Sequence, residues 1–280
     1  MSTVAERIRG GIAELTAKER RVARHLLANY PVAGLQTVAQ LASDAGVSGP
    51  TVLRFLSHIG YSAHGAFQQA LREELEAQLK SPLAKNPPLA AGQSPSEPAT
   101  LAFSQTITEN ISQTFANIPA SEFDATTRLL ADHKNRIHVV GGRFTDALAR
   151  YMAAHLRIVR PRVEHMAGQE ANWRDQVIDF SRADTLVVFD IRRYQTDLFN
   201  LSEAAAERRA NIVLMTDQWL SPIAQLARHV FAAHIAAPSA WDSSAALMAV
   251  SEAILAEVTQ ITWPTSEGRI RAIERLREGE

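Results

Sequence analysis

The stretch LASDAGVSGPTVLRFLSHIG, residues 41–60, contains the end of one predicted helix, a glycine turn and a second predicted helix. Gly46 supplies the positive φ angle of the turn. Ser48 caps the second helix, and Pro50 lies in its first turn. Apolar residues recur in this helix at i, i+3, i+4 and i+7, which predicts a buried side made of Val52, Phe55, Leu56 and Ile59. Two short helices joined in this way form a helix-turn-helix arrangement.

The segments on either side also have helical patterns. Thr16 and Glu19 form a capping box that begins a helix, and Pro31 ends it. The predicted buried stripe of that helix consists of Val22, Ala23, Leu26, Leu27 and Tyr30. Another helix is predicted from about Ala63 to Leu79. The first domain, residues 1–80, is therefore expected to be entirely α-helical.

Basic residues are concentrated in this first domain, although the whole chain has a net charge of -1. Residues 1–72 hold eight Lys and Arg against four Asp and Glu, a modest basic surface of the kind that attracts nucleic acid. The second motif helix is expected to expose the side that carries Thr51, Arg54 and His58. The predicted DNA-contacting residues are Thr37, Ser48, Gly49, Pro50, Thr51, Arg54 and His58. A helical bundle used for dimerisation or protein docking is the alternative.

The motif segment resembles a known family. LASDAGVSGPTVLRFLSHIGYSAHGAFQQAL, residues 41–71, is similar to the recognition segment of the RpiR-type (MurR/RpiR) transcription regulators, which keep a "GVS..TV.RF...GY" pattern. That family joins the helix-turn-helix domain to a sugar isomerase (SIS) domain. The resemblance covers nearly the whole chain except a linker, and it implies DNA binding together with binding of a carbohydrate derivative.

The second domain is predicted to be an α/β fold. Residues 81–100 contain five prolines and neither apolar period, which indicates a linker. In residues 101–280, short apolar runs at 137–141, 185–191, 211–216 and 229–235 alternate with helical patterns. Such runs are typical of a doubly wound parallel sheet, here SIS-like, that is covered on both faces.

Ligands of such sheets bind beyond the carboxyl ends of the strands, where three loops of this chain are expected to meet. The first loop contributes Gly141, Gly142, Arg143 and Thr145 to the predicted effector site. The second loop contributes Arg192, Arg193, Tyr194 and Thr196. The third contributes Thr216 and Ser221, in a "T...SP.A" pattern similar to the third loop of SIS domains.

The second loop departs from the SIS pattern. SIS domains usually carry "S.SG.T", whereas residues 190–196 read DIRRYQT and retain only Thr196. One interpretation is that Arg192 and Arg193 bind a phosphate or carboxylate in place of the lost serines. The other is that they form structural ion pairs with Asp190, Asp197 or Glu203 and that phosphosugar binding is lost.

The C-terminal end is predicted to be helical. A long helix carries Ala245, Met248, Leu255 and Val258 along one side. These residues are expected to pack on the sheet or on a second subunit. Residues 264–280, which begin at Pro264, are predicted to form a charged amphipathic helix that serves as a dimer contact.

The composition of the chain excludes several kinds of site. The chain has no cysteine, which excludes disulfides and thiolate metal sites. Its nine histidines show no metal-ligand spacing, and we expect neither a metal nor another cofactor. No signal peptide or membrane span is expected, which favours a cytoplasmic protein.

The predicted function is that of a non-enzymatic regulator. It would bind a double-stranded DNA operator as a homodimer or homotetramer, under the control of a small anionic effector such as a phosphosugar or sugar acid. The alternatives are a sugar-phosphate isomerase and a regulatory subunit that does not bind DNA. An isomerase needs a positioned base, and the sequence shows no such group.

Overall fold

A computed structural model describes residues 3–79, 82–85, 99–168 and 170–278. The chain divides into two compact units, an N-terminal helical unit and a C-terminal α/β unit. The predicted linker, residues 81–100, lies mostly outside the described residues. The described parts of it are a short helix, α6 (Pro82–Lys85), and the beginning of the next helix.

Up to residue 79, the described residues of the N-terminal unit form five α-helices. In chain order these are α1 (Val4–Gly11), α2 (Ala17–Ala28), α3 (Val38–Asp44), α4 (Gly49–His58) and α5 (His64–Leu79), with a 3-10 turn at Val32–Leu35. The predicted capping box of α2 is confirmed, since the Glu19 amide donates to Thr16 and the Thr16 amide donates to Glu19. Thr3 and Glu6 form the same capping box at α1, a helix that the sequence analysis did not predict.

One core joins these helices. The predicted buried sides of α2 and α4 are confirmed, with Val22, Leu26, Val52 and Phe55 at most 1% exposed. Gly46 has a φ angle of +62° between α3 and α4, as the turn requires. A Cβ atom at this position would lie 2.2 Å from a guanidinium nitrogen of Arg21, so the side chain of Arg21 lies against the turn.

The C-terminal unit is built on a five-stranded parallel sheet. Its strands are β1 (Arg136–Gly141), β2 (Val163–His165), β3 (Asp184–Asp190), β4 (Asn211–Asp217) and β5 (His229–Ala233), in the order β2-β1-β3-β4-β5. β2 was not predicted, because a three-residue strand with one buried side chain is too short to show a pattern. The other strands agree with the predicted runs within two residues at each end.

Helices cover both faces of the sheet. They are α7 (Ala99–Ala116), α8 (Ala120–Ala131), α9 (Asp146–Val159), α10 (Glu170–Val177), α11 (Thr196–Glu207) and α12 (Ala245–Glu278), with a 3-10 turn at Pro222–Gln225. α8, α9 and α12 share one buried cluster with the sheet, whereas α10 and α11 share the cluster on the other face. The predicted doubly wound α/β class is therefore confirmed.

α12 runs without a break from residue 245 to 278 and contains Pro264. The expectation of a separate helix that begins at Pro264 was therefore wrong. Thr262 and Ser266 on either side of the proline are buried, and Arg269 donates to the carbonyl of Arg157. Packing on both sides of Pro264 thus stabilises a helix that the proline alone would interrupt.

α12 is also, among the described residues, the helix that has the length and hydropathy of a membrane span. Its first half carries Leu247, Val250, Ile254 and Val258, all fully buried in the core of the α/β unit. Burial of this kind is typical of a core helix, which meets the same length and hydropathy criteria.

Candidate nucleic-acid interface and effector site

The exposed side of α4 is the candidate nucleic-acid interface. Arg54 is exposed as predicted, and so is Pro50. Leu53 and Ser57, which the sequence analysis did not assign to the interface, are exposed on the same side. Thr37 and Ser48, the N-cap residues of α3 and α4, are also exposed, and Gly49 is half-buried.

Thr51 is buried, with 2% of its surface exposed, so the expectation that it faces solvent was wrong. Its hydroxyl lies 2.9 Å from the hydroxyl of Ser48. The buried sector of α4 is wider than the stripe that begins at Val52, since Thr51 lies on the flank of that stripe. The Thr51 side chain therefore contacts the N-cap residue within the first turn of the helix.

His58 is exposed but has a partner within the unit. Its Nδ1 lies 3.0 Å from a carboxylate oxygen of Glu19, which is 2% exposed. Burial raises the pKa of Glu19, but hydrogen bonds from Thr16 and the charges of His58 and Arg54 outweigh it and leave the pKa lowered. Glu19 is thus an ionised group that ties α4 to the first turn of α2. His58 was predicted only as a DNA contact.

Several arginines of the N-terminal unit are exposed. Arg20, Arg21 and Arg24 are exposed on α2, and Arg21 lies against the Gly46 turn. Arg54 adds a fourth exposed guanidinium group, on α4. Exposed guanidinium groups attract the phosphate backbone of a nucleic acid without distinguishing its sequence.

The candidate effector site lies at the carboxyl edge of the sheet. In the order β2-β1-β3-β4-β5, β2 lies on one side of β1, whereas β3, β4 and β5 follow one another on the other side. The gap between β1 and β3 is therefore the switch point of the strand order, where ligands of open parallel sheets bind. The loops that follow β1 and β3 meet there. The side-chain amide of Gln195 approaches Gly142 so closely that a Cβ on the glycine would lie 3.0 Å from its oxygen.

The loop after β1 is closed by internal hydrogen bonds. Thr145 donates its hydroxyl to the carbonyl of Phe189 at 2.6 Å and accepts from the amide of Gly142 at 2.8 Å. A Cβ at Gly141 would lie 2.6 Å from the backbone of Thr145 and Asp146, so only glycine fits. Of the residues predicted from this loop, Arg143 is exposed, whereas Gly141, Gly142 and Thr145 are buried.

Asp190, at the end of β3, is a buried carboxyl group that the sequence analysis considered only as an ion-pair partner. It accepts from the hydroxyl of Ser221 at 2.5 Å and from the amide of Gln195 at 3.3 Å. Burial and the nearby Asp217 raise its pKa to about 7, although the two hydrogen bonds oppose the shift. Thr216 donates to the carbonyl of Asp190 at 2.6 Å, so the hydroxyls of the third loop are engaged within the protein.

Arg192 forms a structural ion pair, but with a residue that the sequence analysis did not name. Its guanidinium donates to both carboxylate oxygens of Asp242, at 2.9 and 2.6 Å, and its side chain is only 5% exposed. The arginine is therefore in a structural ion pair, as the second interpretation expected, and the carboxylate that the structure shows is that of Asp242. Asp242 follows fifty residues later in the chain, at a distance where no sequence pattern connects the two.

The remaining candidates differ in how accessible they are. The hydroxyl of Tyr194 donates to Asp217 at 2.8 Å. Arg193 and Thr196 are exposed, and no hydrogen bond or ion pair engages the Arg193 side chain within the described part of the chain. The guanidinium of Arg143 lies 5.2 Å from the ring centre of Phe144. Two accessible guanidinium groups, Arg143 and Arg193, thus flank the switch point.

Comparisons with known proteins agree with this two-part organisation. The family "Helix-turn-helix domain, rpiR family" matches residues 2–78, and the SIS domain family matches residues 129–257. No curated protein sequence matches the chain.

Two solved structures share the fold. The sugar isomerase domain of an RpiR transcription factor from Sphaerobacter thermophilus is 22% identical with a TM-score of 0.58, and the match covers 63% of this chain and 97% of that one. The Vibrio vulnificus NanR protein, complexed with ManNAc-6P, is 16% identical with a TM-score of 0.55, and the match covers 98% of both chains.

Proposed function

Because the chain belongs to the RpiR-type transcription regulators, with an rpiR-family helix-turn-helix domain followed by a SIS domain, we propose that it binds duplex DNA through the exposed side of α4. We further propose that a small anionic metabolite, bound at the carboxyl edge of the sheet, controls this binding. The single observation that carries the proposal is the exposed Arg54 on the second helix of the motif.

The geometry of α4 supports the DNA contact. The N-terminal half of the second motif helix enters the major groove in helix-turn-helix proteins, and in this chain that half follows the N-cap residue Ser48 and presents Pro50 and Arg54. An arginine in this position can bind a guanine edge with two hydrogen bonds, or it can bind a phosphate. The exposed arginines of α2 add contacts to the backbone of the duplex.

The oligomeric state is part of the proposal. Proteins of this class bind two half-sites as a dimer, which matches a palindromic operator, so we propose a homodimer or a homotetramer. Large apolar side chains on α7 and α12 support this, since Leu101, Phe103, Phe115, Ile261 and Trp263 are 40–50% exposed. An operator on the chromosome implies a cytoplasmic protein in a bacterium.

The effector site is proposed to bind an anion through Arg143, Arg193 and the beginning of α11. Gln195, the N-cap residue of α11, makes no side-chain hydrogen bond to the helix, and the positive end of a helix dipole favours an anion. The structural relative NanR is complexed with a sugar phosphate, ManNAc-6P. Sugar phosphates are therefore the first ligand class to test, and sugar acids are the second because guanidinium groups also bind carboxylates.

DNA-affinity sequencing with the full chain and fragmented genomic DNA tests the regulatory function. We expect enrichment of a short inverted repeat upstream of a small set of genes. Binding should weaken steeply as the salt concentration rises, because counterions are released from the duplex. A recovered pool that matches the input library would contradict the proposal.

Isothermal titration with a panel of sugar phosphates, including ManNAc-6P, and sugar acids tests the effector site. We expect one ligand class to bind the wild type. Arg193→Ala should bind it roughly tenfold more weakly, since a hydrogen bond to a charged group contributes about 1.5–3 kcal/mol. Arg150→Ala, which removes an exposed arginine on α9, is the charge-matched control and should bind normally. Equal affinities for all three proteins would place the effector elsewhere.

The buried carboxyl of Asp190 favours one alternative, an isomerase. A carboxyl group with a pKa of about 7 could accept a proton at neutral pH. Both of its oxygens, however, are engaged by Ser221 and Gln195. An aldose-ketose isomerase assay with the sugar phosphates that bind would support this alternative if it showed turnover that Asp190→Asn abolishes.

A further inference from the structure

Leu53 is an apolar side chain on the polar side of α4, with 49% of its surface exposed. It lies outside the buried cluster of the N-terminal unit. Pro50, Leu53, Arg54 and Ser57 occur at i, i+3, i+4 and i+7 and share the exposed side of the helix. Leu53 and Arg54 therefore lie on either side of the line that joins Pro50 to Ser57.

Isolated apolar residues on a protein surface are common and by themselves indicate nothing. The surroundings of Leu53 are more informative. The next residue is the exposed Arg54, the helix begins only a few residues earlier at Gly49, and exposed arginines of α2 lie in the same unit. An apolar protein partner would have to bury these charges, whereas a nucleic acid neutralises them.

We propose that Leu53 is a specificity-determining residue that packs against the C5 methyl group of a thymine in the major groove. This inference rests on the proposed function, since it requires α4 to enter that groove. The thymine methyl is the apolar feature that the major groove presents, and apolar side chains recognise it by contact. Contact with a methyl group removes apolar surface of both partners from water.

The position of Leu53 also predicts where the thymine lies. Leu53 and Arg54 are consecutive, and successive side chains of a helix are separated by about 100° around its axis. The two side chains therefore reach adjacent parts of the same half-site. Arg54 binds a guanine edge or a phosphate, and Leu53 selects a thymine beside it.

Uracil substitution tests this contact, because uracil differs from thymine only by the missing C5 methyl group. The operator recovered from wild-type DNA-affinity sequencing is synthesised with uracil in place of each thymine of the half-site in turn, and binding of the full chain is measured by fluorescence anisotropy. We expect one thymine per half-site at which uracil weakens wild-type binding about fourfold, the effect of burying one methyl group.

Leu53→Ala should bind the unmodified operator more weakly than the wild type and should no longer distinguish thymine from uracil at that position. Leu53 is exposed, so the variant is expected to fold, and its melting temperature provides the check. Ser57→Ala, on the same side of α4, is the matched control and should keep the wild-type preference for thymine.

The possible results separate this inference from the proposed function. If the wild type binds the operator and Arg54→Ala weakens binding, but uracil has no effect at any position, the role of Leu53 is overturned and the regulatory function stands. The same conclusion follows if Leu53→Ala keeps the preference for thymine. If the wild type binds no duplex, both proposals are overturned.

Discussion

At the scale of single residues, Gly141 shows how strictly the backbone at the effector site is constrained. A Cβ at this position would lie 2.6 Å from the main-chain atoms of Thr145 and Asp146. We expect Gly141→Ala to lower the free energy of unfolding by about 1–3 kcal/mol, because the strand and the loop would have to move apart. Urea unfolding followed by tryptophan fluorescence measures this, since Trp173 and Trp263 lie on helices of the α/β unit.

Gly268→Ala is the matched control for that measurement. Gly268 lies inside α12, and a Cβ there would meet no atom within 4 Å. The substitution should therefore raise stability by about 0.5–1 kcal/mol through its helix propensity. Equal effects of the two substitutions would show that Gly141 is not confined as described.

The buried carboxyl of Asp190 predicts a pH dependence of stability. Its pKa rises from 3.8 to about 7 on folding, so between these values the folded state holds a proton that the unfolded state has lost. The contribution of this protonated carboxyl to the stability of the folded state is complete below pH 3.8 and is lost as the pH rises through about 7.

Asp190→Asn removes this titration. As the pH rises, the free energy of unfolding of the wild type should therefore fall relative to that of Asp190→Asn, by at most about 1.4 kcal/mol for each pH unit. Urea unfolding of both proteins between about pH 5 and pH 8 gives the difference. A difference that stays constant with pH would mean that Asp190 is ionised throughout.

Residues governed by local rules could be predicted, and those governed by distant partners could not. The turn at Gly46 and the N-cap position of Ser48 were predicted correctly because both depend on near neighbours, although the Ser48 side chain makes no capping hydrogen bond to the helix. The partner of Arg192 could not be predicted, since Asp242 becomes a neighbour only in the folded chain. The burial of Thr51 was missed because a polar residue on the flank of an apolar stripe has no sequence signal of its own.

At the scale of elements, α12 shows that tertiary packing can override a local signal. Pro264 lacks the amide that would complete the helix and disfavours the preceding turn, and it is exposed. We expect Pro264→Ala to stabilise the α/β unit by about 1–3 kcal/mol, since proline is the least favourable residue in a helix interior. Urea unfolding measures the gain, and a loss of stability would mean that the local backbone geometry imposed by Pro264 is needed for packing.

The elements themselves differed in how well the sequence predicted them. β1, β3, β4 and β5 have apolar runs because both faces of the sheet are covered, and α4 has a complete helical period. β2 has three residues and pairs with only one neighbour, β1, which leaves no pattern to detect. The capping box of α1, Thr3 with Glu6, was a signal that could have been used.

At the scale of the whole molecule, an rpiR-family helix-turn-helix domain at residues 2–78 precedes a SIS domain at residues 129–257. The effector would act by binding more tightly to one of the two states of the regulator, free or bound to DNA. If the effector changes the affinity for the operator by a certain factor, the operator changes the affinity for the effector by the same factor. Whether the effector strengthens or weakens DNA binding decides whether the operator is released or retained.

Titration of the operator with Arg54→Ala tests the central claim, that the exposed side of α4 holds the duplex. A labelled operator is titrated with wild type, Arg54→Ala and the control Arg150→Ala, and fluorescence anisotropy gives the three affinities at one salt concentration. We expect Arg54→Ala to bind at least about fivefold more weakly, corresponding to about 1–3 kcal/mol, and Arg150→Ala to bind as the wild type does. Wild-type affinity for Arg54→Ala would contradict the claim.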